Sequence, residues 1–358
     1  MAAQRSLLLA VLIAVFAATA CTPGGQPSSP AASVPPASAR PSIAPSPSPA
    51  PSFPVTLTDD EGTDVTIVAE PRKIVSLTPA TTEILFTIGA GDRVVGKVED
   101  IANFPPEAAD IPIVARFDGV DIEQVVALEP DLVISAGVGL TQGDAVEQLR
   151  RADVPVLVIY PTTIDGGLAG IRLIGQATGL TETAEALAIG MEQRIDELQR
   201  LAATATEKPR VFYEIDVTGG IFTPPADSIY GEMFLLAGAE PISGDASYSI
   251  SLEELVAADP EVILLGDAAY GMTAEAVAER PGWKGMTAVK EGRIYPIDDI
   301  LVTRPGPRLV EGLEALIRAI HPELADQLPL PMPSESLGPP VPETDKPTTG
   351  LAGLPAAA

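Results

Sequence analysis

Two stretches of the chain, VDIEQVVALEPDLVISAG at 120–137 and ISLEELVAADPEVILLGD at 250–267, run in a single register with an offset of 130 residues. Each copy reads as the same unit. Asp121 and Ser251 stand at N-cap positions, Gln124 and Glu254 follow three residues on as capping-box partners, and Pro130 and Pro260 end the helices before apolar strands. A duplicated unit of helix, break and buried strand implies two similar lobes. Between the copies lies TETAEALAIGMEQRIDELQRLAATA (181–205), a proline-free helical pattern with Thr181 as its cap and Glu182 in its first turn. At 1.5 Å per residue this helix runs ~36 Å, long enough to cross from one lobe to the other.

The rest of the body alternates short strand-like runs with helical stretches, which predicts parallel α/β structure. VTLTDDEGTDVTIV (55–68) reads as an opening hairpin turning at Asp59 to Gly62. KIVSL (73–77) is a buried strand, and Pro79 opens a helix over Ala80 to Ile88, where its missing N–H costs nothing. DLVISA (131–136), VPVLVIY (154–160), RVFYEI (210–215), EVILLG (261–266) and RIYPI (293–297) supply further strands. The expected fold is α/β, two Rossmann-like lobes joined by a single long backbone helix. Its domains are an N-terminal lobe at 55–180, the interlobe helix at 181–205 and a C-terminal lobe at 206–325.

Outside this body the sequence changes character. Residues 1–21 place Arg5 before an apolar run from Leu7 to Ala17 and small residues up to Cys21, the pattern of a secretory signal too short to span a bilayer. The cut site Ala18-Thr19-Ala20-Cys21 resembles a bacterial lipobox, with Ala18 where leucine is usual, and implies a lipid on Cys21. An ordinary signal cut nearby would leave Cys21 an incidental thiol. Residues 22–54 hold 11 prolines and 8 serines, and 326–358 hold 8 more prolines, so these segments are expected to be an extended linker and a disordered tail.

Composition removes several functions. Lys and Arg total 22 against 49 Asp and Glu, a net charge of -27 that repels a nucleic-acid backbone. One cysteine and one histidine exclude an intramolecular disulfide, a thiolate zinc site and a multi-imidazole metal site, so no structural metal is expected. GAGDRVVG (89–96) follows a helix instead of a strand and so lacks the dinucleotide context, and no GxxxxGK[ST], HExxH or GxSxG occurs. His321, in HPE at the end of the last helix, reads as a solvated helix-terminal residue. Glu123 and Glu253 occupy equivalent points in the first turns of the repeated helices, where they either complement the helix dipole or meet a partner.

From about Phe53 to Leu324 the chain resembles the substrate-binding proteins of bacterial ABC importers for iron-siderophores and vitamin B12. The resemblance lies in PRKIVSLTPATTEILFTIGAGDRVVGK (71–97), FPPEA (104–108), the first repeat copy, SIYGEMFLLAGAEPISGD (228–245) and RPGPRLVEGLEALIRAIHPE (304–323). It implies a lipid-anchored receptor outside the cell membrane, working as a monomer with an ABC permease and its ATPase. Glu123 and Glu253 would dock onto permease arginines, a charge-assisted contact. The cargo, a corrinoid such as cobalamin, a haem or a ferric siderophore, would sit between the lobes; no cofactor is implied. Candidate ligand residues are Thr78, Pro79, Ala80, Thr81 and Thr82 after the first strand, Phe117, Tyr160, Tyr248, Trp283 and Arg304. For each aromatic the alternative is core packing, and for Arg304 a local ion pair. With so few cations, a corrinoid is favoured over an anionic siderophore. No catalytic residue is assigned; an exported hydrolase or chelatase on the same scaffold, favoured by paired cleft carboxylates, is the alternative, and a ligand-free structural lipoprotein a third.

Overall fold

The computed structural model describes residues 53–116, 118–136 and 144–330. Cys21, the 22–52 linker, Phe117 and the tail beyond Leu330 lie outside the described residues. The opening hairpin forms as the sequence predicts: β1 (Val55–Thr58) pairs antiparallel with β2 (Asp64–Ile67). The first lobe continues with β3 (Ile74–Ser76), α1 (Pro79–Ile88), β4 (Val94–Val98), β5 (Ile113–Arg116), β6 (Gly119–Val120), α2 (Ile122–Ala127), β7 (Leu132–Ser135), α3 (Ala145–Arg151) and β8 (Val156–Val158). Two helices follow, α4 (Ile164–Thr178) and α5 (Thr181–Ala202). The second lobe holds β9 (Arg210–Glu214), α6 (Ile229–Leu236), β10 (Glu240–Ile242), α7 (Leu252–Ala258), β11 (Val262–Leu265), α8 (Ala274–Ala278), α9 (Thr287–Glu291), β12 (Ile294–Pro296), α10 (Asp299–Thr303) and α11 (Leu309–Ile320).

The strands order as β6-β5-β4-β3-β7-β8 and β10-β9-β11-β12, parallel throughout apart from the β5–β6 pair. Both sheets are covered on both faces, which is why their strands read as unbroken apolar runs. Alternation decides which side chain goes where. Ile74, Leu132, Ile134, Val262 and Leu264 join one large core with α1, α4, α5, α6 and α11, common to the two lobes. Val75 and Val133 point the other way, into a cluster with Val125 of α2 and Leu149 of α3. Ile263 and Leu265 do the same in the second lobe, meeting Leu255 of α7, Trp283 and Met286. The repeated helices therefore occupy matching outer layers.

Their ends match as well. Asp121 and Ser251 accept from the backbone N–H of Gln124 and Glu254. Ser251 and Glu254 complete a reciprocal box, whereas the Gln124 amide turns to the Asp121 carboxylate. Glu129 and Asp259, each just before the helix-ending proline, share left-handed backbone at φ 49 and 47°.

Several expectations need correction. α5 is a 22-residue helix, and Thr181 is its first helical residue; Leu180 takes the cap position with no side-chain bond. Strand β4 falls inside the GAGDRVVGK run, hidden there by Gly96 and Lys97. Gly96 is packed closely, since a Cβ would lie 2.8 Å from Leu128 Cδ1 and 3.1 Å from Val114 Cγ1, and Lys97 is buried in spite of its charge. The body also runs past Ala325. Residues 322–327 wind into 3-10 turns, Leu328 joins the large core, and Arg318 donates to the carbonyls of Ala325 and Pro329. Finally, His321 is not solvated: it caps the end of α11 at 2% exposure, with Nδ1 3.4 Å from Glu323 and Nε2 buried against Gly238. Among the described residues no helix is long and apolar enough to cross a membrane.

Candidate functional site

In parallel α/β lobes the side chains at the carboxyl ends of strands are free to meet a ligand. The first lobe presents Thr78 after β3, Asp100 after β4 and Tyr160 after β8; the second presents Glu214 at the end of β9, Asp267 after β11 and Asp299 after β12. Ion pairs join these two rims directly. Arg304, just after α10, donates to Glu83 of α1 at 3.1 Å and to both Asp100 oxygens at 3.0 and 2.5 Å. Arg308 donates to the two Glu83 oxygens at 2.7 and 3.2 Å, and its guanidinium lies 3.7 Å over the Phe104 ring. Glu83 is 1% exposed. Burial works to raise the Asp100 carboxyl, but Arg304 and two backbone N–H groups more than offset it and hold the group below its ordinary value. Burial likewise pulls on Arg304, and Asp100 and Glu83 reverse the effect. A further link crosses beside them, where Glu232 of α6 accepts the Ile164 backbone N–H at the start of α4 at 2.8 Å.

Tyrosines gather around this junction. Tyr160 is half-exposed and is set by the opening hairpin: its backbone N–H donates to Asp60 at 2.5 Å, while the Asp60 N–H donates to the Val158 carbonyl at the end of β8. Asp59 anchors that turn, buried and paired to Arg150 at 2.8 Å. From the second lobe comes Tyr248, at φ 62°, an unusual backbone for a residue with a bulky side chain. Asp245 holds the turn there by accepting the N–H groups of Ser247 and Ser249 and both their hydroxyls. Burial raises the Tyr248 hydroxyl, and the neighbouring Tyr160 of the other lobe raises it further. Tyr230 of α6 is pushed up by burial and by nearby Asp299, Tyr248 and Tyr160. Tyr270 is exposed at 37% and lies within electrostatic reach of Asp299 and Arg304. Tyr213 at the end of β9 is fully buried and donates to Asp299, whose carboxyl burial raises to about 6.

Deeper in the second lobe, Arg280 grips both oxygens of buried Glu214. Asp267 lies against that pair with one oxygen unpartnered, and burial next to the Glu214 charge raises its carboxyl strongly. These acids are engaged with one another and with Arg280. Among the described residues no group of three or more acidic, histidine or cysteine side chains could hold a metal ion. The polar recess lined by Glu207, Pro209, Arg293, His321 and Glu323 sits at the amino end of β9, opposite the rim just described.

The sequence candidates thus divide. Tyr160 and Tyr248 face the junction from opposite lobes. Thr78 caps α1 by accepting from Thr81, and Thr82 donates to Ser76 and the Thr78 carbonyl, so their hydroxyls serve the turn, and Thr81 and Thr82 are buried. Pro79 and Ala80 are partly exposed at the helix start. Trp283 is 3% exposed, edge-on to Phe212 at 5.9 Å and under Arg280 at 4.6 Å, a core residue on the outer face of the second sheet. Arg304 belongs to the interlobe ion pairs. Glu123 and Glu253 are exposed on α2 and α7 and make no ion pair or side-chain hydrogen bond among the described residues. Sequence reasoning missed Glu83, Asp100, Arg308, Tyr230 and Tyr270. The signal for the first was one carboxylate in the apolar PATTEILFTI helix; for Arg308, its spacing of four from Arg304 across RPGPR.

A family model described as periplasmic binding protein matches residues 74–301. The chain is 36% identical over 277 residues to an uncharacterized ABC transporter substrate-binding lipoprotein of Bacillus subtilis, covering 76% of this chain and 87% of that one. It is 29% identical over 282 residues to a cobalamin-binding protein of Halobacterium salinarum, covering 75% of each. Among solved structures, the apo form of a periplasmic heme-binding protein from Roseiflexus sp. RS-1 aligns with a TM-score of 0.60 at 27% identity, over 70% of this chain and 99% of that one.

Proposed function

The chain belongs to the periplasmic binding protein family, and from that premise we propose that it is the lipid-anchored, extracytoplasmic receptor of an ABC importer, holding a corrinoid such as cobalamin between its lobes. The observation that supports this cargo is the make-up of the interlobe rim. Tyr160 and Tyr248 approach from opposite lobes, Tyr230 stands beside them, Tyr270 lies near Asp299 and Arg304, and the two arginines at the junction are spent on Glu83 and Asp100. Among the described residues this rim offers phenol donors and no free cation cluster. That suits a large, nearly planar macrocycle with amide side chains better than an anionic ferric siderophore.

Burial raises the Tyr230 and Tyr248 hydroxyls, so in the ligand-free protein both are protonated and can donate hydrogen bonds to a cargo. The hydrolase or chelatase alternative needs a pair of carboxylates open to substrate. Glu214 and Asp267 are buried and tied to Arg280 or to each other, and Asp299 accepts from Tyr213, which argues for binding without chemistry.

Delivery follows from the outer helices. Exposed Glu123 and Glu253, one per lobe, would each meet a permease arginine while the loaded cleft faces the translocation path. Exposed ion pairs contribute little to affinity singly but speed and align encounter, which fits a receptor that must release after each cycle. A lipid on Cys21 would keep the receptor at the membrane surface, with residues 22–52 as its tether, Phe53 already packing against the core.

Native mass spectrometry of the full-length protein purified from its own cells tests this reading. A mass increment equal to a corrinoid, together with Cys21→Ala releasing the protein from membranes, is the expected result. Recovery only of a ferric siderophore or haem would overturn the cargo assignment, and membrane retention of Cys21→Ala would overturn the anchor.

A further inference from the structure

In each lobe the first strand of the parallel sheet is followed by a helix that carries a single charged residue. In α1, PATTEILFTI, it is Glu83, held by two arginines of the second lobe. In α6, IYGEMFLL, it is Glu232, and it crosses the junction in the opposite direction. A glutamate in a first turn can serve its own helix dipole. Here Glu232 Oε2 accepts the Ile164 backbone N–H at 2.8 Å, the first N–H of α4, which packs on α1 and β1 of the first lobe. Ile164 is 4% exposed, and a buried N–H at a helix start needs an acceptor. The same turn lies near the second lobe again at Gly167, where a Cβ would stand 3.6 Å from Pro305 Cβ.

That bond bears on Tyr160. Pro161, Thr162 and Thr163 alone separate Tyr160 from Ile164, and Thr163 is spent on capping α4 through the Gly166 N–H. Tyr160 itself is fixed to its own lobe, where its N–H donates to Asp60 of the opening hairpin. Tyr248 is fixed within the second lobe by the Asp245 turn and by its carbonyl, which accepts the Thr223 N–H at 2.9 Å. Each tyrosine is thus set inside its own lobe, and the gap between them is an interlobe distance. Arg304 and Arg308 tie the lobes together at α1; Glu232 ties them together at the segment that carries Tyr160.

Resting on the receptor reading above, we infer that Glu232 is a positioning residue of the cleft: by tying the start of α4 to α6 it sets the spacing of Tyr160 and Tyr248, and with it the fit of the cargo between them. Glu232 acts through Tyr160 and not by touching the cargo. Without its carboxylate, the first turn of α4 holds a buried N–H that finds a partner only by moving toward water. Such a shift matters to a macrocycle held from two sides, because a gap of about 0.5–1 Å already forfeits a quarter to a half of each contact.

The experiment titrates full-length protein with cyanocobalamin in a calorimeter and follows amide hydrogen exchange over residues 160–164. Glu232→Ala removes the acceptor and should weaken binding about tenfold. Glu232→Met keeps the length of the side chain without an acceptor; it should match that loss and serves where truncation unsettles α6. Glu232→Gln, whose amide oxygen can still accept from Ile164, should stay within about threefold of wild type. In a Tyr160→Ala background, which keeps the Tyr248 side of the cleft, Glu232→Ala should cost almost nothing more, since the spacing of a missing ring is immaterial. Exchange over 160–164 should quicken in the alanine and methionine variants and not in the glutamine variant, with or without cargo. Equal losses in the glutamine and alanine variants, losses that add in the Tyr160→Ala background, or unchanged exchange and affinity in the alanine and methionine variants overturn the positioning role and leave the receptor reading standing. Failure of the wild type to bind cyanocobalamin overturns the corrinoid reading and this role of Glu232 with it, even where exchange shows the Glu232 contact intact.

Discussion

Replacing Glu83 by glutamine keeps the shape of the side chain and removes a charge that two arginines of the other lobe share. Glu83 lies at 1% exposure and accepts three charge-assisted bonds, at 3.1 Å from Arg304 and at 2.7 and 3.2 Å from Arg308. Breaking a buried ion pair by removing one partner costs about 3–5 kcal/mol. Part of that is recovered here. Arg304 keeps its two bonds to Asp100, Arg308 keeps the Phe104 face, and the glutamine carbonyl can still accept one bond. The expected loss is therefore about 2–3 kcal/mol. Urea unfolding followed by Trp283 fluorescence and by far-ultraviolet circular dichroism reads it. Trp283 lies in the second lobe and Glu83 in the first, so a lowered Trp283 midpoint would also show that the lobes unfold together. Adding Arg308→Met to Glu83→Gln should cost less than the sum of the single changes, because the arginine left uncompensated is then gone. A Glu83→Gln midpoint within about 0.5 kcal/mol of wild type would refute the reasoning, since that is the scale of an ordinary surface substitution.

Three further outcomes follow from the same geometry. Burial raises Asp299 from 3.8 to about 6, so stability should be full below the lower value, fall by up to about 1.4 kcal/mol per unit as pH rises through that window, and then level. Asp299→Asn, which can still accept from Tyr213, should flatten that segment of the profile; an unchanged profile would contradict the assignment. Gly312→Ala places a Cβ 2.2 Å from the Leu301 carbonyl oxygen and should force α10 from α11, with a loss of about 3 kcal/mol or more in chemical denaturation. Asp245→Ala should weaken cyanocobalamin binding in calorimetric titration by releasing Tyr248 from its left-handed turn, while Asp245→Asn, whose amide oxygen can accept the same bonds, should restore most of it.

The elements legible in the sequence were those whose signal is local. The β1–β2 hairpin, the Pro79 helix start and both repeat copies rest on turn residues, caps and apolar runs within a dozen positions of one another. Strand β4 was lost because its pattern is broken by a closely packed glycine and a lysine that is buried. The interlobe ion pairs join residues more than 200 positions apart, and no spacing rule reaches that far. Trp283 and His321 were misread for one reason: an aromatic or imidazole ring has the same local signature in a cleft, at a helix end or in a core, and only the opposing surface decides. The same held for the tyrosines, since Tyr230 and Tyr270 sit in unremarkable helical and turn segments and acquire their setting from Asp299 and Arg304 on other elements.

The central claim is that a single corrinoid occupies the cleft between Tyr160 and Tyr248. Equilibrium dialysis of the full-length protein against labelled cyanocobalamin, with haemin and a ferric siderophore as competitors, tests it directly. The account predicts saturable binding of one cyanocobalamin per chain, lost in the Tyr160→Ala, Tyr248→Ala double variant and undiminished by the siderophore. Failure of cyanocobalamin to bind, or full binding by the double variant, would contradict it.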